Sequence, residues 1–232
     1  MSSKRDSERH VHEGAVIDAF VAENEFYRSA SVSRFSKFVT HLDLFRRISH
    51  MPGEIVECGV FKGASLFRWI KFRALLENTH SRKIFGFDVF GEFPEAEFEL
   101  DRRRRDQFVK EAGASGPSVD ELKEILSVQQ LGENVELIAG DVRETVPQLV
   151  AQRPELRIAL LNIDVDLYEP TLCCLETLFP HVVPGGVIVL DDYGAFAGAN
   201  SAIEQFFNDR GEKFQKFPFA HSITFVVKGS DE

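Results

Sequence analysis

Residues 161–196 read LNIDVDLYEPTLCCLETLFPHVVPGGVIVLDDYGAF. Two apolar runs each end in a pair of acids, Asp164 and Asp166 after the first, Asp191 and Asp192 after the second. Between them TLCCLETLFP has the content of a short helix stopped by Pro180. RIALLNID, which leads into the first pair, is apolar throughout, as a parallel strand covered on both faces should be. Strand, helix and strand in this span make one βαβ unit.

The same alternation continues in both directions. EIVECG is a short strand, followed by Gly63 and a helix from Ser65 to Leu76; KIFGFD is a second strand that stops on Asp88. Two polar helical stretches flank GASGPS at 113–118, and Ser118 with Glu121 forms a capping-box start for the second. NVELIAGD is a third strand and RETVPQLV a helix with Pro147 near its start. PGGVIVLDD is the fifth strand, residues 199–209 a helix, and KFQKFPF with SITFVVK a closing antiparallel hairpin. The pattern predicts an α/β fold, a doubly wound, mostly parallel sheet of seven strands with an antiparallel C-terminal strand. Residues 1–14 read as a flexible, charged start. Residues 15–50 read as an N-terminal helical segment, with Phe35, Phe38, Val39, Leu42, Phe45 and Ile48 at helical spacing. Residues 51–232 read as one domain, which 232 residues at 44% hydrophobic content can supply with a core.

Composition excludes several function classes. A net charge of −10 argues against a nucleic-acid partner. Three cysteines, Cys58, Cys173 and Cys174, are no disulfide framework and point to a reducing, cytoplasmic setting. No segment has the length and apolarity of a membrane span, and the start MSSKRDSERHVHEG is polar.

In doubly wound sheets ligands bind beyond the carboxyl ends of the strands. Glu57, Asp88, Asp141, Asp164, Asp166, Asp191 and Asp192 all fall at or just past those ends. ECGVFKGAS (57–65) is a strand-to-helix glycine loop spaced E-x-G-x-x-x-G, not the G-x-G-x-x-G of dinucleotide binders. A pyrophosphate would want no acid at this mouth; Glu57 there suits a ligand with positive charge. S-adenosylmethionine, with its ammonium and sulfonium, is such a ligand. Glu57, Gly59, Gly63 and Ser65 of the loop are its predicted site, with Asp88 accepting from both ribose hydroxyls, Gly140 and Asp141 reaching the adenine amine, and Asp164 completing the set. The plainer alternative is a tight βα turn with solvated acids.

Three carboxylates at one point repel one another, and a divalent cation removes that cost. Asp164, Asp191 and Asp192 are accordingly the predicted metal ligands, and an all-oxygen set selects a hard ion such as Mg²⁺. Asp166, two residues from Asp164 and on the same face if the strand continues, is left as general base. The matching chemistry is O-methyl transfer to a hydroxyl that the metal acidifies. The alternative is that these acids cap helices and turns.

IDVDLYEPT…LFPHVVPGGVIVLDDYGAF resembles the signature of the macrocin O-methyltransferase family, and VECGVFKGAS and FDVFGEFP are similar to that family's glycine loop and the segment after its second strand. The resemblance spans roughly residues 50–210. It implies a class I, Rossmann-like methyltransferase that is S-adenosylmethionine- and Mg²⁺-dependent and acts on a sugar or sugar-containing metabolite. It also implies Asp164, Asp191 and Asp192 as metal ligands, Asp166 as base, and Glu57, Gly59, Asp88 and Asp141 along the cofactor. Relatives of this kind are often homo-oligomers. This chain departs from the family pattern at Asn162 and Val165 in NIDVD, at Val89 and at Pro170. Catechol, phenol or carboxylate acceptors are the rival chemistries. A non-catalytic binding module on the same fold is the rival of another class.

Of the remaining features, Arg102–Arg105 reads as a solvated helix face, with acceptor steering as its sharper alternative. Cys173 and Cys174 read as helix packing, and His181 and His221 as histidines without ligand partners. Tyr168 and Tyr193 flank the acids as candidate pocket walls. FGEFPEAEF (90–98) has the content of a lid.

Overall fold

The computed structural model describes residues 9–12 and 15–229. The elements follow in chain order as β1 (Arg9–His12), β2 (Ala15–Asp18), α1 (Ala19–Ser29), α2 (Val32–Ile48), β3 (Glu54–Cys58), α3 (Ala64–Leu76), β4 (Ile84–Asp88), α4 (Glu99–Ala112), α5 (Val119–Val128), β5 (Val135–Ala139), α6 (Val142–Gln152), β6 (Ile158–Ile163), α7 (Tyr168–Leu178), β7 (Val182–Leu190), α8 (Ala197–Phe207) and β8 (Thr224–Val227). No described helix is long and apolar enough to cross a membrane.

The main sheet runs β5-β4-β3-β6-β7-β8, with every pair parallel except β7 and β8. Chain order moves outward one way from β3 and the other way from β6, so the topological switch lies between these two strands. The apolar alternation sorts side chains into two cores. Val56 and Cys58 of β3 join Leu161 and Ile163 of β6 under α6, α7 and α8. Ile55 and Leu160 point the other way, to Leu44, Phe45 and Ile48 of α2 and Leu66, Trp69 and Ile70 of α3.

Two expectations change. Among the described residues the sheet has six strands, not seven. KFQKFPF does not form a strand: it touches the sheet through one antiparallel bridge, Gln215 to Phe225, while β8 pairs with β7 along four residues. The chain turns immediately afterwards, the amide of Ala220 donating to the carbonyl of Phe217 at 2.9 Å. At the other end the helical reading of 15–50 holds from Ala19 onward, but as two helices. Asp18 caps α1, accepting from the amide of Phe20 at 2.9 Å, and Ser31 caps α2, accepting from the amide of Arg34. Residues 15–18 pair with 9–12 as a two-stranded ribbon; residues 1–8 and 13–14 of the charged start lie outside the described residues. The capping box on α5 forms as read, Ser118 and Glu121 exchanging hydrogen bonds.

Candidate active site

The strand ends are tied to one another past the last ladder rung. The amide of Asp164 donates to Cys58 (2.8 Å), that of Gly59 to Phe87 (2.8 Å), that of Gly140 to Asp88 (2.9 Å) and that of Asp191 to Ile163 (3.1 Å). The predicted acids therefore share one rim. A cavity of about 800 Å³ opens above it, within the size range of small-molecule sites.

Gly59 carries the join between β3 and β6. Its φ is +92°, and a Cβ there would lie 1.8 Å from the carbonyl oxygen of Asp164. Only glycine lets the loop and the first aspartate approach this closely. Asp88 then locks the loop: Oδ2 accepts from the amides of Val60 and Phe61, and Oδ1 from that of Phe90, each at 2.8 Å. Three of its four lone-pair sites are used, leaving room for one ribose hydroxyl rather than two.

Gly59, Ser65, Asp88, Gly140, Asp141 and Asp164 border the cavity, whereas Glu57 and Gly63 do not. Glu57 is fully buried beneath the loop, where Oε1 accepts a short hydrogen bond from Ser65 and Oε2 has no partner. An inward β3 position cannot stand at the mouth. Burial pushes its carboxyl up to about 8, against the bond from Ser65. Beside it in register, Asn162 of β6 is equally buried with both amide atoms unpaired. Asp141 caps α6 through the amide of Arg143 (2.8 Å) and pairs with its guanidinium at 2.7 Å; Arg143 also reaches Glu97 at 2.6 Å. Arg143 holds the Asp141 carboxyl below its usual range.

Asp164, Asp166 and Asp192 place carboxylate oxygens within 4.8 Å of one another. Strand continuation is not what brings Asp166 in. β6 ends at Ile163, and Asp166 sits at φ +62° with the amide of Leu167 donating back to Val165 across it at 2.6 Å. This is a γ-turn-like, strained conformation that a second contact stabilises: Asp192 Oδ2 accepts from the Asp166 amide at 2.8 Å. Asp191, expected with Asp164 and Asp192, turns elsewhere. Its Oδ2 takes the ammonium of Lys37 at 2.5 Å, and its Oδ1 is buried without a partner.

Burial raises Asp164 and Asp192 well above the carboxylate range, and their neighbouring acids add to it. Asp166 is pushed up to about 7, by burial first and by Asp164 second. Burial by itself would lower Lys37, but Asp164, Asp191 and Asp192 together hold it raised. Converging buried oxygens and the orphaned Oδ1 of Asp191 suit a hard divalent cation, which would relieve the repulsion the carboxyls now relieve by taking up protons.

Lys37, absent from the sequence reading, had a signal: it shares the α2 stripe of His41, Leu44 and Ile48, where an apolar residue belongs. Arg105 also belongs to the structure more than to solvent. It donates to the carbonyls of Phe93 (3.0 Å) and Pro94 (3.1 Å) and pairs with Glu95, strapping segment 90–98 to α4 as a cavity wall. Tyr168 and Tyr193 do not line the cavity; their hydroxyls donate to Gln205 and Glu204. Cys174 is core, and His181 sits 3.1 Å from the carbonyl of Leu156.

The model of the Macrocin-O-methyltransferase (TylF) family matches residues 34–215. The chain is 30% identical over 149 residues to the 8-demethyl-8-(2,3-dimethoxy-alpha-L-rhamnosyl)-tetracenomycin-C 4′-O-methyltransferase of Streptomyces olivaceus, covering 62% of this chain and 54% of that one. It is 27% identical over 155 residues to the Mycinamicin III 3″-O-methyltransferase of Micromonospora griseorubida, covering 62% and 56%. The chain thus spans little more than half the length of these relatives. Among solved structures, the calicheamicin methyltransferase CalS11 superposes with a TM-score of 0.75 at 24% identity, over 92% of this chain and 87% of that one. The O-methyltransferase NovP superposes at 0.72 and 20% identity, over 84% and 80%. At these identities the likeness establishes a shared Rossmann-like methyltransferase fold.

Proposed function

The chain belongs to the Macrocin-O-methyltransferase family, and from that membership we propose that it is an S-adenosylmethionine-dependent, Mg²⁺-dependent O-methyltransferase acting on a hydroxyl of a sugar or sugar-containing small molecule. The observation that carries the reading is the convergence of Asp164, Asp166 and Asp192 within 4.8 Å, beside Asp191, at the switch between β3 and β6. A glycine loop and a ribose-competent Asp88 lie next to it on the same rim.

Each residue has a task. Gly59 and Ser65 shape the bed for the donor's amino-acid end, Asp88 accepts from its ribose, and Gly140 and Asp141 border its base. Asp164 and Asp192 would hold the cation, with Asp191, now paired with Lys37, as the third candidate ligand. Mg²⁺ bound there would supply Lewis acidity toward the acceptor hydroxyl, and bound S-adenosylmethionine the methyl group. Asp166 accepts the hydroxyl proton. In the metal-free site burial and Asp164 push it up to about 7; Mg²⁺ bound beside it would offset that repulsion and favour the ionised carboxylate that a base needs. The strained turn at Asp166, held by Asp192, fixes the carboxylate in place before substrate arrives, and such positioning supplies much of a transfer rate.

A methyl-transfer assay across nucleotide sugars, free glycosides, phenols and carboxylic acids tests the reading. Methyl ethers on sugar hydroxyls are expected. Methyl esters formed on carboxylic acids would replace it with carboxyl methylation.

A further inference from the structure

Arg73 and Arg82 show how this chain treats a guanidinium withdrawn from water. Arg73 donates to the carbonyls of Arg82 (2.8 Å), Glu133 (2.7 Å) and Asn134 (2.9 Å). Arg82 pairs with Glu77 at 2.7 Å and donates to the carbonyl of Gly53 at 2.8 Å. Arg68 is treated differently. It is half-buried on α3, one turn past Ser65, and borders the cavity. Among the described residues its guanidinium has no hydrogen bond or ion pair. Arg34, one turn before Lys37 on α2, borders the same cavity with its side chain equally unpartnered. Burial lowers Arg68 below the usual guanidinium range; Asp191 and Glu57 oppose that, and the charge of Arg34 adds to it.

Two cations that repel each other, one of them partly desolvated and offset only through space by Asp191, Glu57 and Asp164, leave a cost that no direct partner relieves. An anionic group of a ligand relieves it, and a guanidinium's fixed fork suits carboxylate and phosphate oxygens. Ser33 and Ser222 add hydroxyls to the lining. We propose that Arg34 and Arg68 form an anion-binding subsite of the cavity, on the α2 and α3 side of the aspartate cluster, taking a carboxylate or phosphate of a bound ligand. The proposal rests on the methyl-transfer reading, under which the anion has two sources: the amino-acid carboxylate of the donor, or an acidic group on the acceptor.

Calorimetric titration separates these. The ligands are S-adenosylhomocysteine, 5′-methylthioadenosine (the same nucleoside without the amino acid) and pyrophosphate. The proteins are wild type, Arg34→Gln and Arg68→Gln, each checked by thermal melt. If the donor supplies the anion, each variant loses S-adenosylhomocysteine affinity about 10- to 100-fold, with 5′-methylthioadenosine unaffected. If the acceptor supplies it, S-adenosylhomocysteine binding is unchanged and a pyrophosphate affinity present in wild type disappears from both variants. Either result supports the subsite. It is overturned if the variants bind S-adenosylhomocysteine as wild type does while pyrophosphate binds no form. It is equally overturned if both nucleosides weaken together with a lowered Tm, the mark of a packing role. A wild-type protein that binds neither nucleoside but binds pyrophosphate through Arg68 would overturn the methyltransferase reading and leave the subsite standing.

Discussion

The ammonium of Lys37 lies 2.5 Å from Oδ2 of Asp191 and joins α2 to the end of β7 at the aspartate cluster. One of four neighbouring carboxylates thereby has a direct ion-pair partner, while Asp164, Asp166 and Asp192 feel the same ammonium only through space. The lysine stabilises the metal-free site and opposes a second cation beside it.

Lys37→Met should therefore act in opposite directions on the two states. Losing one partner of a half-buried pair costs on the order of 1–3 kcal/mol, so Tm in EDTA should fall by roughly 2–10 °C. Saturating Mg²⁺ should restore most of it, giving a larger metal-induced rise in Tm than in wild type. Paired melts in EDTA and Mg²⁺ measure this; an equal loss in both would mean that the lysine does not share the site with the cation.

Stability should depend on pH in a way set by the buried acids. Glu57 is raised to about 8 and Asp166 to about 7, with Asp164 and Asp192 raised in the same direction. In the unfolded chain these groups titrate near 4, so between those limits the native state holds protons the unfolded chain has released, and stability falls as pH rises. His41 opposes this below about 6.5, because burial keeps its ring neutral in the native state while the unfolded chain takes up the proton. The carboxyl effect stands alone between about pH 6.5 and 8. Metal-free protein should lose Tm across that interval and Mg²⁺ should flatten the decline; a Tm that climbs there would contradict the burial argument.

Gly59→Ala should cost more than an ordinary loop substitution. The new methyl meets the Asp164 carbonyl at 1.8 Å, and φ +92° is strained for alanine. A loss of about 2 kcal/mol or more is expected by denaturant unfolding, with divalent-cation affinity falling too because Asp164 must move. Unchanged metal affinity would show that the loop does not position the aspartate.

Much of this site was legible before the fold was known, because acids after apolar strands mark the carboxyl edge of a parallel sheet whatever the details. Less legible was which way each acid turns. Glu57 lies on an inward β3 position and is buried, a consequence of strand register that spacing along one strand does not reveal. Asp166 reaches the cluster through a positive-φ turn rather than strand alternation. Lys37 comes from 154 residues away in sequence to meet Asp191, and no local pattern pairs them. The expected seventh strand shrinks to one bridge at Gln215 because the chain turns at residues 217–220, which the apolar run in the sequence does not announce.

Asp166→Asn is the cleanest probe of the base, since asparagine tolerates the same positive φ and keeps the volume. It should retain S-adenosylhomocysteine affinity and Tm within a few degrees while kcat drops about 10²- to 10⁴-fold. A variant with near-native kcat would assign the proton to another group.

The central claim, metal-assisted methylation of a hydroxyl at the aspartate cluster, is tested most directly by the initial rate of S-adenosylhomocysteine formation. Mg²⁺ is titrated back into EDTA-treated wild type and Asp192→Asn, with a hydroxylated acceptor from the panel above. The account predicts a rate near zero in EDTA, saturable recovery with Mg²⁺ in wild type, and weakened or absent recovery in Asp192→Asn. A wild-type rate that EDTA leaves unchanged, matched by Asp192→Asn, would contradict it.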